Sequence, residues 1–304
     1  MARIGRPDLV RELALTLGLV GLIGLIGLGV SSLRAGDGAH DAHGSMTAMG
    51  PMAPMGAMAR RAHSDGLSAV ERGYRLVPVT VPERTGAARL VEFRVLGPDG
   101  TAVTDFEVNA TKRLHFFVVR DDMAHFQHLH PVDANGLWRT RVAIPDGGSY
   151  RMYAEFVPPG SRSRMHPTVL GSTFIVPGDT TYVPMPGPAA SVQVDGYTVT
   201  RLEGAGPVAR TAPNTLTFAV TDAAGDPVTD LEPYLGSYAH ISAFNALSLS
   251  VTHLHPTQAV DPASSAPAEL TFQARFAERG EHRVFLEFQI DGVVHTAAIT
   301  LFVD

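Results

Sequence analysis

Nine residues of the 304-residue chain recur at a constant distance. Phe93, Thr104, Asp105, Glu107, His115, His128, Leu129, His130 and Pro131 return 125 residues later as Phe218, Thr229, Asp230, Glu232, His240, His253, Leu254, His255 and Pro256. Further on, Tyr153-Ala154-Glu155-Phe156 returns as Phe285-Leu286-Glu287-Phe288 after a short insertion. A tandem duplication confines the chain to one architecture built twice. Each copy reads as all-β. Runs rich in Val, Phe, Tyr and Thr at residues 90–96, 114–119, 137–143 and 150–157 alternate with Gly, Pro and Asp turns. The second copy offers residues 216–220, 247–254, 270–274, 283–290 and 293–303, with the hairpin pair Asp291-Gly292 between the last two. About seven strands per copy predict an antiparallel sandwich of immunoglobulin-like type. The expected fold is therefore mainly β, with tandem sandwiches at residues 71–176 and 191–304. A stiff linker at 177–190, carrying Pro177, Pro184, Pro186 and Pro188, joins them.

Ahead of the sandwiches, residues 13–30 are apolar apart from Thr16 and glycines, about 27 Å as a helix. Arg3, Arg6 and Arg11 precede this run and only Arg34 closely follows it. The positive-inside rule then predicts a cytoplasmic N-terminus at 1–12, a transmembrane signal anchor at 13–32 and an extracytoplasmic remainder. A cleaved signal peptide, leaving a secreted protein, is the other reading. The run is longer than such segments usually are, and no convincing small-x-small cleavage site follows it.

Residues 33–70 read as a flexible tether with His40 and His43, followed by Met46, Met49, Met52, Met55 and Met58, each three apart. Pro51, Pro54, Gly50 and Gly56 argue against a buried helix there. A polyproline II helix would put all five thioethers on one side. Thioethers are soft ligands for Cu(I), and imidazole adds affinity for Cu(II). A spacer in which Met is filler is the plainer alternative. The chain has no cysteine, so disulfides, zinc-thiolate sites and blue-copper centres are excluded, and any metal must rest on His, Met or carboxylate. A formal net charge of −6 argues against a nucleic-acid partner.

Six histidines belong to the repeat. In the second copy Leu247, Leu249, Val251, His253 and His255 share one strand face, and His295 shares the apolar parity of its own strand. His-x-His on one face brings two imidazoles about 6.7 Å apart at Cα, close enough to chelate one ion. His253 and His255 with His240 or His295 form the expected better site. His128 and His130 with His115 form its weaker equivalent. Packing histidines bonded to backbone are the alternative, and His63 and His282 read as surface residues.

The series Tyr234-Leu235-Gly236, Ala239-His240, His253-Leu254-His255-Pro256 and Asp291-Gly292-Val293-Val294-His295-Thr296 resembles a family of bacterial extracytoplasmic two-domain β-sandwich proteins. These are largely uncharacterised and often labelled heavy-metal-binding or secreted. The resemblance covers about residues 75–304 and implies metal handling, copper above all, with no established activity. The first copy departs from it, carrying Asn109-Ala110-Thr111 where the second has Tyr-Leu-Gly. Gly-x-Ser-x-Gly, phosphate-binding and His-Glu-x-x-His motifs are all missing, so an enzyme is the least supported class. The expectation is a membrane-anchored protein that captures or buffers copper, with zinc as a second metal and a metal transporter as a candidate recipient. A structural or protein-interaction module of the envelope, without metal, is the competing class.

Overall fold

The computed structural model describes residues 64–304 apart from 163, 211, 262 and 263. The expected anchor, Met46 to Met58, His40, His43 and His63 lie outside the described residues, among which no helix is long and apolar enough to cross a membrane. The described residues form strands and no helix. In the first repeat these are β1 (Val70–Glu71), β2 (Tyr74–Thr80), β3 (Gly86–Leu96), β4 (His115–Arg120), β5 (Gln127–Leu129), β6 (Val132–Asp133), β7 (Trp138–Ile144), β8 (Gly148–Phe156) and β9 (Thr168–Val176). The second repeat supplies β10 (Ser191–Val194), β11 (Tyr197–Arg201), β12 (Asn214–Thr221), β13 (Ala239–Asn245), β14 (Val251–Pro256), β15 (Glu269–Ala274), β16 (Gly280–Ile290) and β17 (Val293–Val303).

All strand pairs within the sheets are antiparallel. The first repeat divides into sheets β1-β2-β3-β7-β6 and β5-β4-β8-β9. The second runs continuously as β10-β11-β12-β15-β14-β13-β16-β17. One difference in a single strand explains the two descriptions. β14 pairs with β13 over Val251 to His253 and then with β15 over Leu254 to Pro256, so it passes from one sheet to the other. In the first repeat that passage is broken at His130-Pro131 into β5, which pairs with β4, and β6, which pairs with β7. With that equivalence both repeats share the division of an immunoglobulin-like sandwich.

Alternation places the inner cores. Val91, Phe93 and Val95 of β3 point into one sandwich, and Leu216, Phe218 and Val220 of β12 into the other. β4 breaks the alternation, because all six of its residues are buried. The reason is a third apolar cluster on the outer faces of the sheets. Phe117, Val119, Met123, Tyr153 and Val169 of the first repeat pack there against Phe244, Val251 and Phe285 of the second. Phe126 stacks on Phe285 with ring centroids 4.1 Å apart, and the Tyr153 hydroxyl donates to the Leu249 carbonyl at 2.6 Å. Strands covered on both sides become near-continuous apolar runs. The outer cluster is what faces the two repeats toward each other.

Residues 177–190 form no strand, and their first part is pinned to the first sandwich by Arg120, which is fully buried. Its guanidinium donates to Asp122 at 2.6 Å, to Asp146 at 2.5 Å and to the Thr181 carbonyl at 2.7 Å. The Thr181 and Val183 amides donate to the same two carboxylates. Burial alone would raise the Asp122 carboxyl, but Arg120 and the amides outweigh it and hold the pKa down to about 2. His282, expected at the surface, is instead fully buried. It lies on β16 with its ring edge against Phe276 and Nδ1 3.1 Å from the Gly280 carbonyl, and burial lowers its pKa.

Candidate metal centre

The outer faces carry polar residues as well as apolar ones. His115 opens β4 and pairs in register with Glu155 of β8, and His128 of β5 pairs with Phe117. The second repeat reproduces both pairs, His240 with Glu287 and His253 with Ser242. When the sheets meet, His115 and His128 of the first repeat come against His240 and Glu287 of the second. One ring nitrogen from each of His115, His128 and His240 falls within 4.8 Å of the others. Their ring centroids are 5.2 Å (His115–His128), 5.1 Å (His128–His240) and 5.7 Å (His115–His240) apart.

A chain of hydrogen bonds orders two of these rings. His115 Nε2 lies 3.0 Å from the Asn109 carbonyl, His115 Nδ1 lies 3.0 Å from His128 Nε2, and His128 Nδ1 lies 2.7 Å from Glu287 Oε2. A carbonyl only accepts, so His115 carries its proton on Nε2 and turns the Nδ1 lone pair toward His128. In the metal-free protein His128 then donates through Nε2, and a protonated Glu287 donates to its Nδ1. The electrostatics agree. Burial pushes the Glu287 pKa up to about 8, against a smaller lowering by His115. Burial, followed by the neighbouring His115, pushes His128 down to about 3, with Glu155 opposing. His130 is also depressed to about 3, by burial first and then by His128, His115 and Lys112. The Tyr234 hydroxyl is raised, by burial and then by the Glu287 charge. At neutral pH His128 and His130 are thus neutral imidazoles, the form that binds metals.

The same atoms fit an ion. Two nitrogens on one tetrahedral centre with bonds of about 2.0–2.1 Å lie roughly 3.3 Å apart, so His115 Nδ1 and His128 Nε2 need to separate by only a few tenths of an ångström. His128 would then donate Nδ1–H to the Glu287 carboxylate and His115 its Nε2–H to Asn109, the two outer partners that fix tautomer and ring orientation. His130 lies beside them, its ring 5.1 Å from His115 and 4.9 Å from His128, with Nε2 buried and without a hydrogen-bond partner. It also lines an open groove with Lys112, Arg113 and Pro131.

The grouping differs from the one expected. Instead of a separate site in each repeat, histidines of both copies converge at the junction. His295 does not join them. On β17 it pairs with Phe288, whereas Thr296 pairs with Glu287, so His295 takes the inner face while the cluster occupies the outer one. There its Nδ1 lies 3.0 Å from Asp195, and its ring packs on Tyr197 and Phe288. His255 pairs in register with Gln273 of β15, and the expected ligation by the His253 and His255 side chains lies outside the described side chains. The departure of the first copy at Asn109-Ala110-Thr111 proves structurally neutral. Ala110 and Thr111 have φ of 42° and 65°, Leu235 and Gly236 have 54° and 80°, and both turns close by reciprocal backbone bonds, Asn109 with Lys112 and Tyr234 with Ser237. The left-handed pair is thus kept without glycine in the first copy, and its Asn109 carbonyl is the partner of His115. Sequence reasoning missed Glu287 and Glu155. The available signal was a carboxylate repeated at the same place between apolar neighbours, Ala154-Glu155-Phe156 and Leu286-Glu287-Phe288.

No curated protein matches the chain. Solved structures similar to it include FdeC, an Escherichia coli adhesin (15% identity, TM-score 0.23, 76% of this chain and 64% of that one). Invasin, a bacterial integrin-binding protein (14%, 0.22, 76% and 38%), and the D0-D1 domain of intimin (11%, 0.22, 75% and 97%) are similar at the same level. The chain therefore spans less than two thirds of FdeC and of invasin. A family match covers residues 72–171 and 192–304, nearly the whole of both repeats, and the chain belongs to the family of that domain of unknown function, DUF8832.

Proposed function

We propose that this protein binds a transition-metal ion at the junction of its repeats through His115, His128 and His240, and that its metal is copper. The observation that carries the reading is the ordering of His115 and His128: inner nitrogens 3.0 Å apart, outer nitrogens already on a carbonyl and a carboxyl group. Imidazole donors suit both Cu(II) and zinc. The soft thioethers of Met46, Met49, Met52, Met55 and Met58, with His40 and His43 upstream, favour copper. The protein would then hold copper outside the cytoplasm, anchored by residues 13–32, and release it to a transporter.

A second reading has its own support, since a protonated Glu287 satisfies the histidine chain without any ion. On that reading the protein is an envelope interaction module with packing histidines. Titration of the full-length protein in detergent with Cu(II), with anaerobic Cu(I) and with Zn(II), each against a competing chelator, separates the two. The expected result is uptake at the junction that the His115→Ala, His128→Ala double variant loses, and separate Cu(I) uptake that replacing the five methionines by leucine removes. Unchanged uptake in the double variant refutes the junction site, and no uptake by the unaltered protein leaves the interaction module standing.

A further inference from the structure

An open groove of about 750 Å³ lies in the first repeat beside the start of β4 and the end of β5. One wall is residues 111–114, which run directly into His115, and another is residues 130–133, which begin two places after His128. The Lys112 amide donates to the Asn109 carbonyl that also holds His115 Nε2, so the turn that builds the first wall orients a ligand too. His130 belongs to both the groove and the histidine cluster. It lines the groove, and its ring stands 4.9 Å from His128 and 5.1 Å from His115 with Nε2 buried and unbonded.

Local sequence explains that position. Residues two apart in an extended chain share a face, so His130 follows His128 toward the cluster. Pro131 disfavours helical backbone at the residue before it and keeps His130 extended. In the second repeat the backbone stays paired at this point, His255 with Gln273 and Pro256 with Phe272. In the first repeat the pairing breaks between Leu129 and Val132, and the groove opens beside the break.

The ligands of the first repeat are shut away from solvent, His115 being 1% exposed and the His128 side chain not at all. Six waters around an ion occupy on the order of 200 Å³ at roughly 30 Å³ each. A hydrated ion therefore fits the groove, but it cannot pass between rings whose nitrogens are 3.0 Å apart. A donor at the inner end of the groove has to begin replacing the waters. We propose that the ion enters and leaves the junction through this groove, with His130 as the way-station that takes it from water and passes it to His115 and His128; the proposal rests on the metal-binding reading above. His130 stands one ring outside the three whose nitrogens lie within 4.8 Å of one another, which suits a donor that hands an ion on rather than one that keeps it. An unbonded buried nitrogen is costly, and a passing ion gives it a partner. His240 is partly exposed, and a path past it is the competing route.

The test follows Cu(II) loading of the full-length protein in detergent by stopped-flow quenching of Trp138, the sole tryptophan, which lines the groove. The phase that the His115→Ala, His128→Ala double variant lacks belongs to the junction. His130→Ala and His130→Asn, checked for folding by circular dichroism, should slow that phase about 10-fold or more. Removal by an added chelator should slow by the same factor and leave affinity within about threefold, because a way-station lowers the barrier in both directions. Lys112→Glu, at an exposed residue of the groove, should speed loading at low salt and lose that gain at high salt. Loading by both His130 variants at the parental rate or faster refutes the way-station. A loss of affinity at an unchanged loading rate makes His130 a resident ligand and equally refutes it. An inert Lys112→Glu puts the route elsewhere, past His240, and refutes the groove. If the unaltered protein shows no junction phase, the metal-binding reading itself falls.

Discussion

Replacing Glu287 by Gln should move stability and metal affinity in opposite directions. In the metal-free protein the Glu287 carboxyl is 4% exposed, bonds His128 at 2.7 Å and has its pKa pushed up to about 8 by burial. Because the folded state holds this proton more tightly than the unfolded chain, stability is full below the ordinary carboxylate range and declines as pH rises toward 8. His128 and His130, depressed to about 3, work the other way. They remove stability as pH falls below the ordinary histidine range near 6.5, so they confound the measurement only on that side. Between pH 6.5 and 8 Glu287 acts alone among the shifted groups. That span is about 1.5 pH units at about 1.4 kcal/mol each, a loss on the order of 2 kcal/mol. Gln reproduces the donor of the protonated acid and cannot ionise. Urea unfolding in the presence of chelator should therefore show the unaltered protein losing stability across that window and the Gln variant remaining flat, so that the variant's advantage, already present at pH 6.5, grows by about that amount at pH 8. Metal titration should show the reverse ranking, with the variant weaker by about 10- to 100-fold because a carboxylate no longer accepts from His128. A variant that keeps the parental pH slope, or that is less stable at pH 8, would refute the buried-carboxyl argument.

Phe285→Ala should cost about 3–5 kcal/mol in urea unfolding, since it opens a cavity where Phe285 stacks on Phe126, and it should weaken metal binding without touching a ligand. Arg120→Met leaves Asp122 and Asp146 without their guanidinium and should destabilise the protein by about 3–5 kcal/mol at neutral pH. Asp122, held near 2 in the folded state, contributes stability above the ordinary carboxylate range that is lost as pH falls toward 2. Acid titration of Arg120→Met should show that loss reduced.

The repeat, the strand-rich composition and the histidine inventory were legible in the sequence because they depend on spacing and residue type alone. The 125-residue offset reappears as identical strand register in the two copies, down to His128 and His253. Periodicity also placed His295 correctly on an apolar face. Which apolar face mattered was not legible. Parity divides a strand into two sides without saying what covers each, and β4 and β13 carry buried residues on both sides. Only the packing of one repeat on the other brought His115, His128, His240 and Glu287 together, with the bonded pair His128 and Glu287 lying 159 residues apart in the chain. Local rules determined what each strand is made of. The junction decided which histidines meet, because that contact belongs to neither repeat alone.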